Sequence, residues 1–216
     1  IRPRSFCIHC KCSIPLYRNI PLISYLIQIG KCSNCKKKIS IIYPTIELTI
    51  GILWILTSIL FTDLNQIISY GVISSFLIAI AIIDYKYFII PLELSIFLFI
   101  YITIDLYLNN SISHHLPGLL IGTGYLSIIS LITWKITKRQ GLGFGDIQLI
   151  LVLGYWIGDL RILLVIFLSA LSAILFWLMI SYYKGFDNKR ALPFGTFLSI
   201  CSILLYPIDF NILDLF

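Results

Sequence analysis

Gly141-Leu142-Gly143-Phe144-Gly145-Asp146 stands between a basic loop holding Lys135, Lys138 and Arg139 and a run without charge, Ile147–Gly158. An acid at the mouth of an apolar segment is expensive, so it marks either a functional site or a local structural need. The structural need would be a Gly-rich turn whose Asp caps the following helix. The functional reading is an acid whose approach Gly143 and Gly145 keep clear, so that an extended chain can lie beside it. Asp84 adds weight to the second: it also closes an apolar run, ahead of the lone Lys86.

The composition places these acids in a membrane. The chain of 216 residues is 59% hydrophobic and 12% charged, with mean hydropathy +0.96. Soluble domains carry roughly twice that charged share. The net charge of +6 is not a nucleic-acid footprint, because the Lys and Arg sit in short loops between apolar runs. Seven such runs follow Pro44: 45–62, 67–83, 89–108, 116–134, 147–158, 160–182 and 194–210. Most approach the roughly 20 residues that span a bilayer as a helix, and the fifth is short. In lipid each must be helical, since backbone groups have to pair within the segment. The expected fold is an all-α polytopic membrane protein of about seven transmembrane helices with a small cytoplasmic zinc-knuckle domain, the boundary falling between 1–43 and 44–216.

Placing the cysteine-rich segment inside puts every one of the 16 basic residues on the inner side except Arg161. That asymmetry orients the chain. Asp84 then ends an inward-running helix and Asp146 begins an outward-running one, so both lie at the cytoplasmic boundary. Glu47 and Glu93 lie near the same face and join the candidate site. Asp63, Asp159, Asp209 and Asp214 are outer loop residues, Asp105 reaches the outer interface, and His114 and His115 fall in an outer loop.

Residues 1–43 contain Cys7-Ile8-His9-Cys10 and Cys32-Ser33-Asn34-Cys35, two C-x2-C pairs separated by 21 residues. Four thiolates at this spacing suit a closed, structural zinc site. The ion would close a segment with too little apolar surface to fold alone. Cys12 and His9 are spare ligands; Cys201, in an apolar run, reads as a packing residue.

Two carboxylates at one partly dry site do not both ionise easily; one keeps a proton and the other serves as base. Such a pair can activate water and protonate a leaving amine, which is peptide hydrolysis without a metal or a covalent nucleophile. No H-E-x-x-H is present. Along its whole length the chain resembles the type IV leader peptidase family of membrane aspartyl proteases, the bacterial prepilin peptidases. The resemblance rests on Cys7-x2-Cys10, Asn19-Ile20-Pro21-Leu22-Ile23-Ser24-Tyr25, Gly30-Lys31-Cys32-x2-Cys35, Tyr43-Pro44-x2-Glu47-Leu48, Ile83-Asp84 with Ile90-Pro91, Gly143-x-Gly145-Asp146 and Leu192-Pro193-Phe194-Gly195. It implies Asp84 and Asp146 as catalytic acids, with Gly143, Gly145, Glu47 and Pro91 around the substrate. It implies Cys7, Cys10, Cys32 and Cys35 as zinc ligands. It further implies cleavage of type IV prepilins and type II secretion pseudopilins after Gly, at the cytoplasmic face of the bacterial inner membrane. In many members S-adenosylmethionine then N-methylates the new terminus. Gln148, Leu92 and Ile8 replace the Lys, Asp and Pro usual in the family. An additional N-terminal family helix would precede Ile1.

The competing class is a transporter or scaffold with a zinc knuckle and two pore-lining acids. Transporters bind at the midplane, often between internal repeats, whereas these acids fall at the inner edge and no repeat is evident. The orientation is testable: an impermeant maleimide should label Asn110→Cys on intact cells, and Lys184→Cys only after permeabilisation. Outside labelling of Lys184→Cys would refute it.

Overall fold

The protein is described by a computed structural model covering residues 5–138, 142–158, 160–187 and 190–208. Gly141, Asp159, Asp209 and Asp214, and the basic Arg2, Arg4, Arg139 and Lys189, lie outside the described residues. Within them are eight α-helices: α1 Ile23–Ile27, α2 Ile42–Leu60, α3 Leu64–Tyr87, α4 Leu92–Leu108, α5 Ile112–Thr137, α6 Phe144–Ile157, α7 Arg161–Lys184 and α8 Phe194–Leu205. No strand occurs among the described residues, only two isolated β-bridges. The all-α expectation holds. Each of the seven apolar runs contains one helix, α2 to α8. Four of them, α2, α3, α5 and α7, are long and apolar enough to cross a membrane; α6 and α8 are apolar but shorter.

The chain forms two compact units, Ile1–Ile67 and Ile68–Phe216. In the first, the cysteine-rich segment is joined to α2 at its N-terminal end: the Leu22 N–H, at the start of α1, donates to Glu47 Oε2 at 2.8 Å. Only 6% of the most apolar window of α2 is buried, as suits a helix surrounded by lipid.

The second unit is built around α6. Leu149, Ile150, Val152, Leu153, Tyr155, Trp156 and Ile157 are all buried, so the C-terminal part of this helix is enclosed, with α4, α5, α7 and α8 packed on the helix. At about 1.5 Å per residue its 14 residues reach roughly 21 Å, short of the roughly 30 Å hydrocarbon core. A helix that short is acceptable in lipid only when protein or water meets its ends, and the neighbouring helices cover its C-terminal end.

The closest packing is between α5 and α6. A Cβ on Gly118 would lie 2.4 Å from the Gly158 carbonyl carbon and 2.5 Å from the Gly154 oxygen. The two helices therefore touch backbone to backbone, the arrangement small residues permit in membranes. Gly158 has φ +68° and ends α6 in a conformation that side-chain-bearing residues avoid.

One local expectation is corrected here. His114 and His115 lie within the N-terminal part of α5, not in a loop. The reason is a tertiary contact. His115 Nδ1 sits 3.1 Å from the Tyr155 carbonyl oxygen and packs on Gly158, which rewards starting the helix before Pro117.

The glycine seam makes a prediction with an internal control. Gly118→Ala should lower the thermal midpoint in detergent, at a cost of about 1–3 kcal/mol for forcing the backbones apart. Gly124→Ala, on the same helix with open space where its Cβ would go, should leave it unchanged or raise it slightly. Equal midpoints for the two variants would refute the seam.

Candidate functional site: two acids around Ile90, and a cluster of four thiols

Asp84 lies in the last turn of α3 and is buried at 5% exposure. A carboxylate at that depth needs donors. Its Oδ2 accepts the Thr196 backbone N–H at 2.7 Å and the Thr196 hydroxyl at 3.0 Å. Thr196 is the third residue of α8, where backbone N–H groups have no acceptor inside the helix. The start of α8 thus solvates an acid 112 residues earlier in the chain.

Asp146 is the third residue of α6. Gly143, extended at φ −70° and ψ 149°, is the N-cap, and its N–H donates to Asp146 Oδ2 at 3.2 Å. Asp146 does cap the helix, as the local reading expects. The same geometry holds its carboxylate in the first turn, where the helix dipole favours negative charge.

The two motifs meet at Ile90, which precedes Pro91, the N-cap of α4. A Cβ added to Gly145 would stand 3.1 Å from Ile90 Cβ. One added to Gly195 would stand 2.6 Å from Ile90 Cδ1 and 3.2 Å from Asp84 Oδ2. Ile90 therefore fills a slot whose two walls are glycines, Gly145 beside Asp146 on α6 and Gly195 on α8, the helix that hydrogen-bonds Asp84. Asp84 is near enough for its charge to act on Asp146. Gly143, Gly145, Asp146, Pro91 and Asp84 are brought together within the second unit.

The remaining candidates have contacts of their own. Glu47 belongs to the first unit, where it accepts the Leu22 N–H. Glu93 is exposed on the first turn of α4, and Asp63 is exposed ahead of α3. Asp105 accepts the Ser69 hydroxyl at 2.9 Å, joining α4 to α3. Cys201 lies 3.9 Å from the Ser172 hydroxyl, between α8 and α7. Sequence reasoning missed Thr196 and Ile90. The only signal for Thr196 was its adjacency to Leu192-Pro193-Phe194-Gly195.

In the first unit the cysteines form two copies of one turn. The Lys11 N–H donates to the Cys7 carbonyl at 2.8 Å, and the Lys36 N–H to the Cys32 carbonyl at 2.9 Å. Both lysines have positive φ, 53° and 57°. Each turn is closed by an antiparallel bridge, Phe6 to Ser13 and Lys31 to Lys38. The four Sγ atoms of Cys7, Cys10, Cys32 and Cys35 lie within 4.8 Å of one another. Cys7–Cys35 and Cys10–Cys32 are 3.9 and 4.0 Å apart. A tetrahedral ion with Zn–S bonds of about 2.3 Å has an S–S edge of about 3.8 Å, so the cluster fits zinc. Cys12 is exposed and stands aside, 2.7 Å from the Asn34 amide nitrogen. His9 is not among the grouped ligands.

The Cys12 backbone N–H holds the Cys10 thiol down at about 6. Backbone N–H groups of Cys35 and Asn34 lower Cys32 likewise. Lowering moves a thiol toward the thiolate, the form that binds metal.

The chain matches two family descriptions: the bacterial peptidase A24 N-terminal domain over residues 1–61, and the type IV leader peptidase family over residues 71–178. Relatives named prepilin leader peptidase/N-methyltransferase align over most of the chain. That of Stutzerimonas stutzeri is 34% identical, over 92% of this chain and 69% of the relative. That of Bacillus subtilis is 30% identical, over 95% and 82%. That of Aeromonas salmonicida is 30% identical, over 92% and 69%. No solved structure matches the chain significantly.

Metal analysis tests the thiol cluster. Purified protein should carry one zinc per chain at neutral pH under reducing, non-chelating conditions and lose it on acidification, as protons compete with the metal for the thiolates. Cys12→Ser should keep the metal, and Cys10→Ser or Cys32→Ser should lose it. Zinc bound equally well by Cys10→Ser would sink the assignment.

Proposed function

This chain belongs to the type IV leader peptidase family, and on that premise we propose that it is a prepilin peptidase using Asp84 and Asp146 as an aspartyl dyad. The observation that carries the reading is the meeting of the two acid-bearing motifs around Ile90. The substrates are type IV prepilins or type II secretion pseudopilins, cut after Gly at the cytoplasmic face of the inner membrane. The apolar stretch following the cut would lie among the spans while the basic leader stays in the cytoplasm, which brings the scissile bond to the boundary where the acids lie.

The chemistry needs no covalent intermediate. One carboxylate takes a proton from water as the oxygen attacks the carbonyl carbon, while its protonated partner hydrogen-bonds the carbonyl oxygen. The tetrahedral species then collapses: the C–N bond breaks and the proton taken from water passes to the leaving nitrogen. A coupled pair titrates as a unit, so the two roles belong to the dyad. Gly145 makes room for the Ile90 side chain and Gly143 keeps a Cβ away from Asp146 Oδ2, and Pro91 fixes the turn that carries Ile90. The freed N-terminal amine would then be methylated, with S-adenosylmethionine as the methyl-donating substrate.

We place seven spans at α2 to α8, with residues 1–43 as a cytoplasmic zinc domain and 44–216 as the membrane peptidase domain. Zinc bound by Cys7, Cys10, Cys32 and Cys35 would have four thiolates and no open position. Its contribution is therefore structural.

Asp84→Asn and Asp146→Asn each remove a charge with almost no change of volume. Each should stay inserted and zinc-loaded while cleavage of a matched prepilin falls by several orders of magnitude, and Asp63→Asn should cleave normally. Near-normal turnover by either dyad variant would overturn the assignment.

A further inference from the structure

We propose that Thr196 is a positioning residue for the dyad: its backbone N–H and its hydroxyl together fix Asp84 Oδ2, so that Oδ1 is the oxygen presented to the reacting water and carbonyl. This rests on the peptidase reading and adds a residue that neither the acid motifs nor their spacing identifies.

Both bonds fall on one oxygen. The amide nitrogen is 2.7 Å and the hydroxyl 3.0 Å from Oδ2, and among the described residues none falls on Oδ1. The Gly195 backbone closes in on the same oxygen, for a Cβ there would stand 3.2 Å from it. Oδ2 is thereby occupied and walled off.

The hydroxyl does a second thing. It lies 3.0 Å from the Ala81 carbonyl oxygen as well, so its single proton is shared between the α3 backbone and the carboxylate that α3 carries. Ala81 is one turn before Asp84. Thr196 therefore fixes the side chain relative to its own helix, and not only relative to α8. A carboxylate free to rotate would present either oxygen; one held at Oδ2 presents a single oxygen in a single direction. A base must come within about 2.6–3.2 Å of the proton it removes, and small misplacements are costly.

Thr196 is buried, so a simple packing role has to be separated from a positioning one. Thr196→Val keeps the branched shape and the backbone N–H but loses the hydroxyl. Thr196→Ser restores it. In detergent, with a matched prepilin, Thr196→Val should lower kcat about tenfold to a hundredfold, in line with loss of a hydrogen bond to a charged group. KM should stay within about twofold, and Thr196→Ser should recover kcat to within about threefold. The second measurement does not use turnover: the infrared carboxyl band assigned to Asp84 by subtracting the Asp84→Asn spectrum should move in Thr196→Val and return in Thr196→Ser. A Thr196→Val protein with wild-type kcat and an unmoved band overturns the proposal. So does equal loss in Val and Ser accompanied by a lower thermal midpoint, which marks packing alone. If wild-type protein fails to cleave any matched prepilin, the peptidase reading falls and takes the catalytic half of this proposal with it, while the infrared band still reports the contact.

Discussion

A carboxylate placed inside an apolar helix bundle must be given hydrogen-bond donors by the bundle itself, and at Asp84 the start of α8 supplies them. Water meets this need in a soluble enzyme. Here the donors come from the first turn of another helix, whose N–H groups would otherwise be unpaired. Two costs thus offset each other: an acid without solvent and a helix start without acceptors. The pairing also ties α3 to α8 at the level of the acid, so the element that carries the chemistry and the element that solvates it cannot drift apart.

The second acid is held by a different means. Asp146 closes the N-terminus of its own helix through Gly143, a local contact three residues long. Rigidity at that end comes from what surrounds α6. A helix whose C-terminal part is buried, with α5 against its backbone at Gly118 and Gly154, has little room to tilt. Reactive groups mounted on rigid elements hold their geometry better than groups on loops. The glycines around Ile90 have the opposite purpose to those in the seam. Gly145 and Gly195 admit one side chain between two motifs, while Gly118 and Gly154 admit a backbone.

The cysteine-rich segment has little apolar surface to fold on, and its order is written in repeated turns. Lys11 and Lys36 occupy equivalent positions after the first cysteine of each pair and carry the same positive φ. The equivalent bridges, Phe6–Ser13 and Lys31–Lys38, close the turns at the same points. Two such turns face four sulfurs toward one another. An ion at their centre would join turns that otherwise have few contacts.

Much of this was legible before any coordinates. Composition alone demanded apolar helices, because lipid leaves the backbone no other way to pair, and α2 to α8 each fall in one of the expected runs. The cysteine ligand set was readable because a metal site depends on spacing along the chain, although only the folded turns separate Cys12 and His9 from the cluster. Asp84 and Asp146 stood out because an acid in an apolar run has a cost that demands a reason. What tertiary structure decided is where contacts join distant elements. Helices that are apolar on all sides carry no stripe to say which face meets which neighbour, so neither the glycine seam nor the slot around Ile90 could be read from periodicity. The early start of α5 at His114 and His115 depends on the Tyr155 carbonyl 40 residues away. The partner of Asp84 depends on α8 ending its approach with Thr196 at the carboxylate, a meeting set by the packing of the whole bundle and by no local rule of sequence.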